Sequence, residues 1–362
     1  MPSVTVPESA GSTVDVPVVP GGQITLSTTF LIKDPASGHD IISKAPCYSF
    51  LVENKAKGKR FLFDLGLPKA WKEKLPPSIA EAISNAPNSK IDVEKDVVDH
   101  LNETGVPLES IDAIIWSHHH FDHVGDPSLF PSSTALIVGP GFKSDKLTFP
   151  GYPANPEAKT CDDAFHGRDV VELDFSGASI EIGGFPAIDY FGDGSFFLLQ
   201  TKGHTHDHLS ALARTSENKF IFLGGDIAHH AGEFRPTPQM PLPDEIHPSP
   251  LESDLSSPKQ APLSACPGSI IERAHPRKGT DYKITPFYEP SAHINTSPPE
   301  ADDAVEKLQD FDATAEVFVV IAHDADLQDI LPVYPKRIND WDQLGYKALG
   351  RWRFLRDFLS AK

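Results

Sequence analysis

The segment that follows residues 111–116 constrains the fold more than any other part of the chain. It carries His118, His120, Asp122 and His123 within six consecutive positions, directly after a largely apolar run typical of a strand covered on both faces. Imidazole nitrogens and carboxylate oxygens are ligands that zinc binds at about 2.0–2.2 Å. The spacing predicts that His118 and His120 point together toward one metal ion, while Asp122 and His123 face a second ion nearby.

Three further candidate ligands lie elsewhere in the chain. His204, Asp226 and His323 each come just after a short apolar run. Strands that end in a ligand build a metal site along one edge of a stack of sheets. A histidine-rich surface turn is the alternative interpretation of the first cluster. The position of the other ligands at strand ends favours the metal site.

Length and composition bound the class of protein. The 362 residues allow one large layered domain or two smaller ones. The hydrophobic fraction of 39% is typical of a soluble globular protein, and no segment approaches the roughly 18 consecutive apolar residues of a membrane helix. Residues 1–24 lack the basic start and apolar run of a secretory signal, so we expect a cytoplasmic protein. The net charge of -19 would repel phosphate backbones, so nucleic acid is not an expected partner.

The cysteines are three in number and include no CxxC pair: Cys47, Cys161 and Cys266. This fits a reducing compartment better than a disulfide framework. Isolated cysteines are usually small buried apolar groups, so all three are predicted to be packing residues. A metal-binding role for Cys161, which precedes Asp162 and Asp163, is the alternative.

Strand-like and helix-like runs alternate along the chain, which predicts an α/β protein. The predicted strands are 24–32, 47–53, 60–64, 111–116, 135–138, 170–174, 180–182, 196–200, 210–214, 220–223 and 317–321. Helical patterns cover 69–75, 79–86, 92–104 and 301–309. An aromatic and leucine stripe at helical spacing over 341–359 indicates core packing.

Residues 231–300 lack a periodic apolar pattern and contain many of the chain's 34 prolines. A segment of this kind is a lid, a binding loop or a disordered linker. Four apolar residues favour a partly ordered lid: Ile270, Ile271, Phe287 and Tyr288. We therefore predict one domain, with a core of about 24–230 and 301–362 and this insertion acting as a lid.

The motifs described above resemble those of the metallo-β-lactamase superfamily, and the resemblance extends from about residue 47 to 331. The family's strand-ending aspartate is Asp64, within 61–66, and its Gly-His-Thr segment is 203–205. The chain is most similar to the lactonase and lactamase branch, including acyl-homoserine-lactonase-like enzymes and their fungal relatives. The resemblance implies a metallo-β-lactamase αββα sandwich.

The resemblance also implies two zinc ions per chain. The first ion would be held by His118, His120 and His204, and the second by Asp122, His123 and His323. Asp226 would bridge the two ions, and Asp64 would support the site.

The chain departs from the family pattern at two places. The usual Gly-His-Thr-Pro-Gly-His reads Gly-His-Thr-His-Asp-His here, so we expect His204 to bind metal, His206 to be exposed and His208 to orient the ligands. Acyl-homoserine lactonases place a tyrosine three residues after the bridging aspartate, where this chain has His229. His229 and His230 either polarise a substrate carbonyl or are polar residues at the base of the lid.

The remaining histidines near the motifs are expected to have no metal role. His119 lies between two ligands and is expected to point away from the ions. The lone histidines of the insertion are expected at the surface: His247, His275 and His293.

A hydroxide that bridges two zinc ions would attack a substrate carbonyl without a serine or cysteine nucleophile. Asp122, as proton relay to the leaving group, and His229 are the predicted catalytic residues. The predicted function is hydrolysis of a small cyclic ester or amide, that is, a lactone or lactam. The alternatives are a thioesterase of the glyoxalase II kind, with cations from Arg273, Arg277 and Lys278, and a mono-iron sulfur dioxygenase. The expected partner is a small-molecule substrate, and the sequence is compatible with a homo-oligomer.

Overall fold

The computed structural model describes residues 4–8, 11–36, 38–250 and 266–359. In chain order its strands are β1 (Val18–Ser27), β2 (Ile32–Lys33), β3 (Ile41–Asn54), β4 (Lys59–Phe63), β5 (Lys90–Asp92), β6 (Ala113–Ile115), β7 (Ala135–Val138), β8 (Val170–Glu172), β9 (Ile180–Ile182), β10 (Phe185–Asp189), β11 (Phe196–Gln200), β12 (Leu209–Ser216), β13 (Lys219–Leu223), β14 (Glu245–Ile246), β15 (Cys266–Pro267), β16 (Glu289–Pro290) and β17 (Val317–Val320). Its α-helices are α1 (Thr28–Leu31), α2 (Trp71–Lys74), α3 (Pro77–Asn85), α4 (Val97–Glu103), α5 (Ser269–Ala274), α6 (Pro298–Ala313), α7 (Trp341–Leu344), α8 (Tyr346–Gly350) and α9 (Arg356–Leu359).

Most of the strands belong to two large sheets. The first sheet has the order β5-β1-β3-β4-β6-β7-β8, and the second has the order β17-β13-β12-β11-β10-β9. Successive side chains of a strand point to opposite faces, so each sheet buries one face against the other sheet. Phe61 and Phe63 of β4 meet Phe196 of β11 in this inner core, and the Phe61 and Phe196 ring centroids are 5.1 Å apart.

Helices cover the outer face of each sheet. Leu62 of β4 and Ile114 of β6 pack against Leu101 of α4. On the second sheet, Phe222 of β13 packs against Phe311 of α6, with ring centroids 4.7 Å apart. The layers therefore run helix, sheet, sheet, helix, which confirms the predicted α/β sandwich.

The predicted strand 24–32 is wrong in its second half. Strand β1 ends at Ser27, and the short helix α1 follows before β2 begins. Thr28 forms two hydrogen bonds with the segment that precedes β3. Its hydroxyl donates to the carbonyl of His39, and its backbone N–H donates to Asp40 O at 3.1 Å. These two hydrogen bonds hold the chain at the point where β1 ends.

The C-terminal stripe is buried, although it does not form one helix. Gly345, with φ of 73°, separates α7 from α8, because glycine adopts this left-handed conformation without steric cost. Phe354 and Leu355 are nevertheless fully buried against the second sheet's outer cluster. The prediction of core packing is confirmed.

The described part of the insertion, 231–250 and 266–300, is anchored at several points. Strand β14 pairs with β15, and β16 pairs with β2 of the N-terminal region. Phe287 and Tyr288 are buried, and Tyr288 N donates to Gly232 O at 3.0 Å. The side chains of Ile270 and Ile271, and residues 251–265 as a whole, lie outside what the structure describes.

Cys47 and Cys266 are buried, and Cys161 is half-buried. Cys161, the alternative metal ligand, donates through its thiol to the backbone carbonyl of Lys74 at 3.1 Å. Among the described helices, none has the length and apolar character needed to cross a membrane.

A buried ion pair holds the start of the insertion onto helix α6. Arg235 Nε and Nη2 donate to the Asp312 carboxylate at 2.8 and 2.7 Å, and the Asp312 side chain is fully buried. We expect Asp312→Ala to lower the free energy of unfolding by about 3–5 kcal/mol, because the buried Arg235 charge then loses its carboxylate partner.

The matched control is Asp303→Ala on the same helix, where Asp303 pairs at 2.7 Å with Lys307 at an exposed position. Its loss should be only about 0.3–0.5 kcal/mol. Urea unfolding of both variants measures the difference, and equal losses would contradict the structural role of the buried pair.

Candidate metal centre

The candidate site lies at one edge of the two sheets, where parallel strands end together. Strands β13 and β17 are parallel, with Leu223 paired to Val320. Asp226 and His323 each follow three residues later, so the strand register brings them to the same edge. The histidine cluster enters the same edge after β6, which is parallel to β4.

The first group of donor atoms consists of three imidazoles and one carboxylate. His204 Nε2 lies 3.2 Å from His118 Nε2 and 2.9 Å from His120 Nδ1. Asp226 Oδ2 lies 3.5 Å from His204 Nε2 and 3.8 Å from His118 Nε2. Neighbouring donors at about 2.0 Å from one tetrahedral zinc ion are about 3.3 Å apart, so the four atoms have the spacing of a metal site.

The second group shares Asp226 with the first. Asp226 Oδ1 lies 3.1 Å from His123 Nε2 and 3.4 Å from His323 Nε2. Asp122 Oδ2 lies 3.4 Å from the same nitrogen of His323. The two oxygens of Asp226 therefore face different groups, which is the geometry a bridging carboxylate needs.

Two buried atoms of the candidate ligands have no hydrogen-bond partner: His123 Nε2 and Asp226 Oδ1. Leaving a buried polar atom unpaired costs free energy, so a deeply buried facing pair of this kind calls for a bound group. Imidazole and carboxylate donors suit zinc, and His and carboxylate also suit iron. The residues present fit a pair of transition-metal ions.

The Asp64 carboxylate holds the loop of the histidine cluster in place through hydrogen bonds. Its Oδ1 accepts from Ser117 N at 2.6 Å, and its Oδ2 accepts from His123 Nδ1 and from Ser117 Oγ, both at 2.8 Å. A hydrogen bond at Nδ1 directs the lone pair of His123 Nε2 into the centre. Asp64 itself has φ of 59°, a strained conformation that the hydrogen bonds hold in place.

Other contacts fix the ligands near the second sheet. His323 Nδ1 donates to Pro46 O at 2.8 Å. His208 Nε2 accepts from the backbone N–H of Asp226 at 2.9 Å, so it orients a candidate ligand, as the sequence predicted. A side chain at Gly225, which has φ of 55°, would come within 2.9 Å of His208 and Ser117, so only glycine fits at this turn.

Sequence reasoning missed Asn295 of the insertion. Asn295 Oδ1 accepts from His204 Nδ1 at 3.2 Å, and its amide donates to Ser291 O at 2.8 Å. The next two residues, Thr296 and Ser297, donate backbone N–H groups to the carbonyls of His204 and Gly203, both at 2.9 Å. The insertion therefore holds the loop that carries His204. No motif marks this asparagine, since it meets its partner only through the fold.

Burial and neighbouring charges set the protonation of the protein groups. Burial, followed by the adjacent imidazoles, lowers the pKa of His118 and His204 well below the ordinary value. Burial also lowers the pKa of His120 to about 3. Burial works to raise the pKa of Asp226, but the surrounding histidines lower it well below its usual range. At neutral pH these three imidazoles are therefore neutral and the carboxylate is ionised, which is the form that binds metal.

His229 lies against the first group with both ring nitrogens unpaired. Its side chain is 3% exposed, and Nε2 lies 3.3 Å from Asp226 Oδ2. Its backbone N–H donates to Glu233 Oε1 at 2.8 Å, which holds the turn that carries it. The ring is therefore held at the centre with two polar atoms free to meet a ligand.

His230 points away from His229 and does not enter the centre. Its Nδ1 accepts from Gly232 N at 2.9 Å, and its Nε2 lies 3.2 Å from Asp357 Oδ2. The ring also packs edge-on against Tyr288 of the insertion. Of the two interpretations for this residue, the structure favours a polar residue at the base of the insertion.

The remaining histidines lie outside the centre. His119 Nδ1 is 2.9 Å from Asp207 Oδ1, and His206, with its side chain 46% exposed, pairs with Asp145. His247 and His293 are exposed, as predicted. The surface prediction for His275 is wrong: it is 2% exposed, its Nε2 donates to Thr285 O at 3.0 Å, and its ring packs against Phe287.

Comparisons with known proteins agree with this geometry. The family model of the metallo-β-lactamase superfamily matches residues 43–261. Gamma-lactamase FDB1 of Fusarium pseudograminearum is 42% identical over an alignment of 373 positions, which covers 99% of this chain and 85% of that protein. Gamma-lactamase MBL2 of Gibberella moniliformis is 45% identical over 251 residues, which cover 68% of this chain and 99% of that protein.

A solved structure of a quorum-quenching N-acyl homoserine lactone lactonase aligns with a TM-score of 0.56 and 16% identity, covering 91% of this chain and all of that one. At this identity the likeness establishes the fold alone. The family match over more than half of the chain, together with the close relatives, establishes the family. The chain therefore belongs to the metallo-β-lactamase superfamily and is a hydrolase of that family.

Proposed function

We propose that this protein is a dinuclear zinc hydrolase that opens small lactams and lactones. The observation that carries the proposal is Asp226, whose two carboxylate oxygens each face a separate group of candidate ligands. His118, His120 and His204 would hold the first ion, and Asp122, His123 and His323 the second. A single-iron centre would leave the second group without a role, so the two-group geometry favours hydrolysis over the dioxygenase alternative.

Two zinc ions in this centre would supply a bridging hydroxide at neutral pH and polarise the substrate carbonyl. The chain's own groups then complete the reaction. Asp122 is buried, and although burial acts to raise its pKa, His323 and His123 lower the pKa below the usual value. An ionised Asp122 can accept a proton and pass it to the departing amide nitrogen or alkoxide oxygen.

His229 is the residue that we expect to meet the carbonyl oxygen. Both of its ring nitrogens are buried and unpaired, so an N–H donated to that oxygen replaces no existing hydrogen bond. A donor fixed before the reaction stabilises the negative charge that develops on the oxygen. We assign His229 this role in place of the tyrosine found in acyl-homoserine lactonases.

The substrate class rests on the relatives and on the insertion. The two relatives described above carry the name gamma-lactamase, which favours a cyclic amide as substrate. In the proposed division of the chain, 231–300 is a lid on a single domain formed by 24–230 and 301–362. Thr296 and Ser297 tie this lid to the His204 loop.

The thioesterase alternative would need free cations near the site. Arg277 instead pairs with Glu289 at 2.9 Å, and Lys278 donates to the backbone carbonyl of Arg273 at 2.8 Å. These contacts within the insertion favour the lactam and lactone class over an anionic thioester.

The first test is metal content followed by a substrate panel. We expect about two zinc ions per chain and hydrolysis of small γ-lactams and γ-lactones that stops on treatment with a chelator. His118→Ala should lose metal and activity together, whereas His206→Ala, at an exposed histidine two residues from His204, should keep both. Protein without any transition metal, or with one iron and no hydrolysis, would refute the proposal.

The role of His229 makes a separate prediction. His229→Phe keeps a ring but removes the donor, so kcat should fall by about 10²–10³-fold while the metal content stays unchanged. His229→Tyr restores a donor and should recover part of the rate. Steady-state kinetics and metal analysis on the same samples measure both effects. If His229→Phe leaves kcat unchanged, the ring only fills space.

The contact between Asn295 and His204 predicts a coupling between the insertion and the first ion. Asn295→Ala should weaken binding of that ion by about 10–100-fold, because the imidazole loses the acceptor that orients it. Competition with a chromophoric chelator measures the affinity. Asn102→Ala, at an exposed position on α4, is the control. Equal affinities in the two variants would show that the asparagine does not position the ligand.

A further inference from the structure

Cys47 is buried beside the second group of candidate ligands. Cys47 lies on β3. The candidate ligand His323 also contacts this strand, because its Nδ1 donates to Pro46 O. The thiol sulfur lies with one atom each of Asp122 and His323 in a set whose members are all within 4.8 Å of one another. Cys47 is only 1% exposed, so its sulfur is shielded from bulk solvent.

An independent observation indicates that a ligand binds at this place. His123 Nε2 and Asp226 Oδ1 are buried without a hydrogen-bond partner. Together with His323 they form a second set of donors within 4.8 Å of one another. The two sets share His323, so the sulfur lies beside a candidate ligand of the second ion.

We propose that Cys47 supplies a sulfur ligand to the second metal ion. Zinc binds sulfur at about 2.3 Å and imidazole nitrogen at about 2.0–2.1 Å, so two such donors of one tetrahedral zinc ion are about 3.6 Å apart. The upper limit of 4.8 Å between the atoms of the observed set includes this distance. The inference rests on the proposed two-metal function and concerns the ligands of its second site.

A sulfur ligand changes which ions the second site prefers. Thiolate is a soft donor and selects zinc, cobalt and cadmium, whereas magnesium and manganese prefer oxygen donors. The second site is therefore selective for thiophilic ions, although its other candidate ligands are nitrogen and oxygen atoms.

The test uses the full-length protein loaded with cobalt. After metal analysis has established two equivalents per chain, the second equivalent is expected to produce a near-ultraviolet thiolate-to-cobalt charge-transfer band. Cys47→Ser should abolish the band and weaken binding of the second equivalent, with the first equivalent unaffected. Cys161→Ser should keep the band, since that thiol already donates to Lys74 O.

The wild-type protein alone can overturn the inference, so the test does not depend on the folding of Cys47→Ser. Two bound cobalt ions without a thiolate band, or a band that persists in Cys47→Ser, would show that the sulfur is not a ligand; the proposed hydrolase would then stand unaffected. Failure to bind any metal would instead remove the proposed function and the inference together. Cadmium-113 NMR gives a second readout, with a strongly deshielded resonance expected for the sulfur-bound ion in the wild type.

Discussion

The hydrogen bonds of the Asp64 carboxylate hold the loop of the candidate metal centre in place against the sheets. Asp64 follows β4 directly, and it holds both Ser117 and His123 of the loop after β6. Ser117 in turn accepts from Leu209 N of β12 at 2.7 Å. One buried carboxylate and one serine therefore connect the first sheet, the ligand loop and the second sheet. Because the carboxylate accepts from His123 Nδ1, it also decides which nitrogen of that ring faces the centre.

The candidate ligands could be recognised from the sequence because each follows the end of a strand. Parallel register then brings them together: Leu223 pairs with Val320, and Asp226 and His323 lie equally far beyond these residues. A single sequence predicts such an arrangement well, because the strand-like runs and the candidate ligands that follow them are local patterns. Most predicted strands, the helix α6 and the layered α/β class follow from the same local patterns and are confirmed.

Contacts between distant segments carry no such pattern. Asn295 meets His204 across 91 positions of the chain, and nothing in its neighbours marks it as a partner. His275 looked like a lone surface histidine, yet Phe287 and the carbonyl of Thr285 enclose it. Cys47 was predicted to be a packing residue, and its burial fits that prediction; only the fold reveals the two candidate ligands beside its sulfur. Such contacts depend on how segments fold over each other, which single-sequence patterns do not encode.

Under the proposed function, the candidate metal centre and the choice of substrate depend on different parts of the chain. The centre is built from strand ends whose positions are fixed by sheet register and by buried hydrogen bonds, so it tolerates little change. In the residues that the structure describes, the insertion consists of short strands, one short α-helix, a helical turn at 231–233 and loops, and loops accept sequence change at lower cost. Yet it reaches the centre through Asn295 and supports His229 through the turn that contains Glu233. Under the proposed function we therefore expect changes in the insertion to alter substrate preference while the candidate metal ligands stay the same, in keeping with folds that host many different reactions.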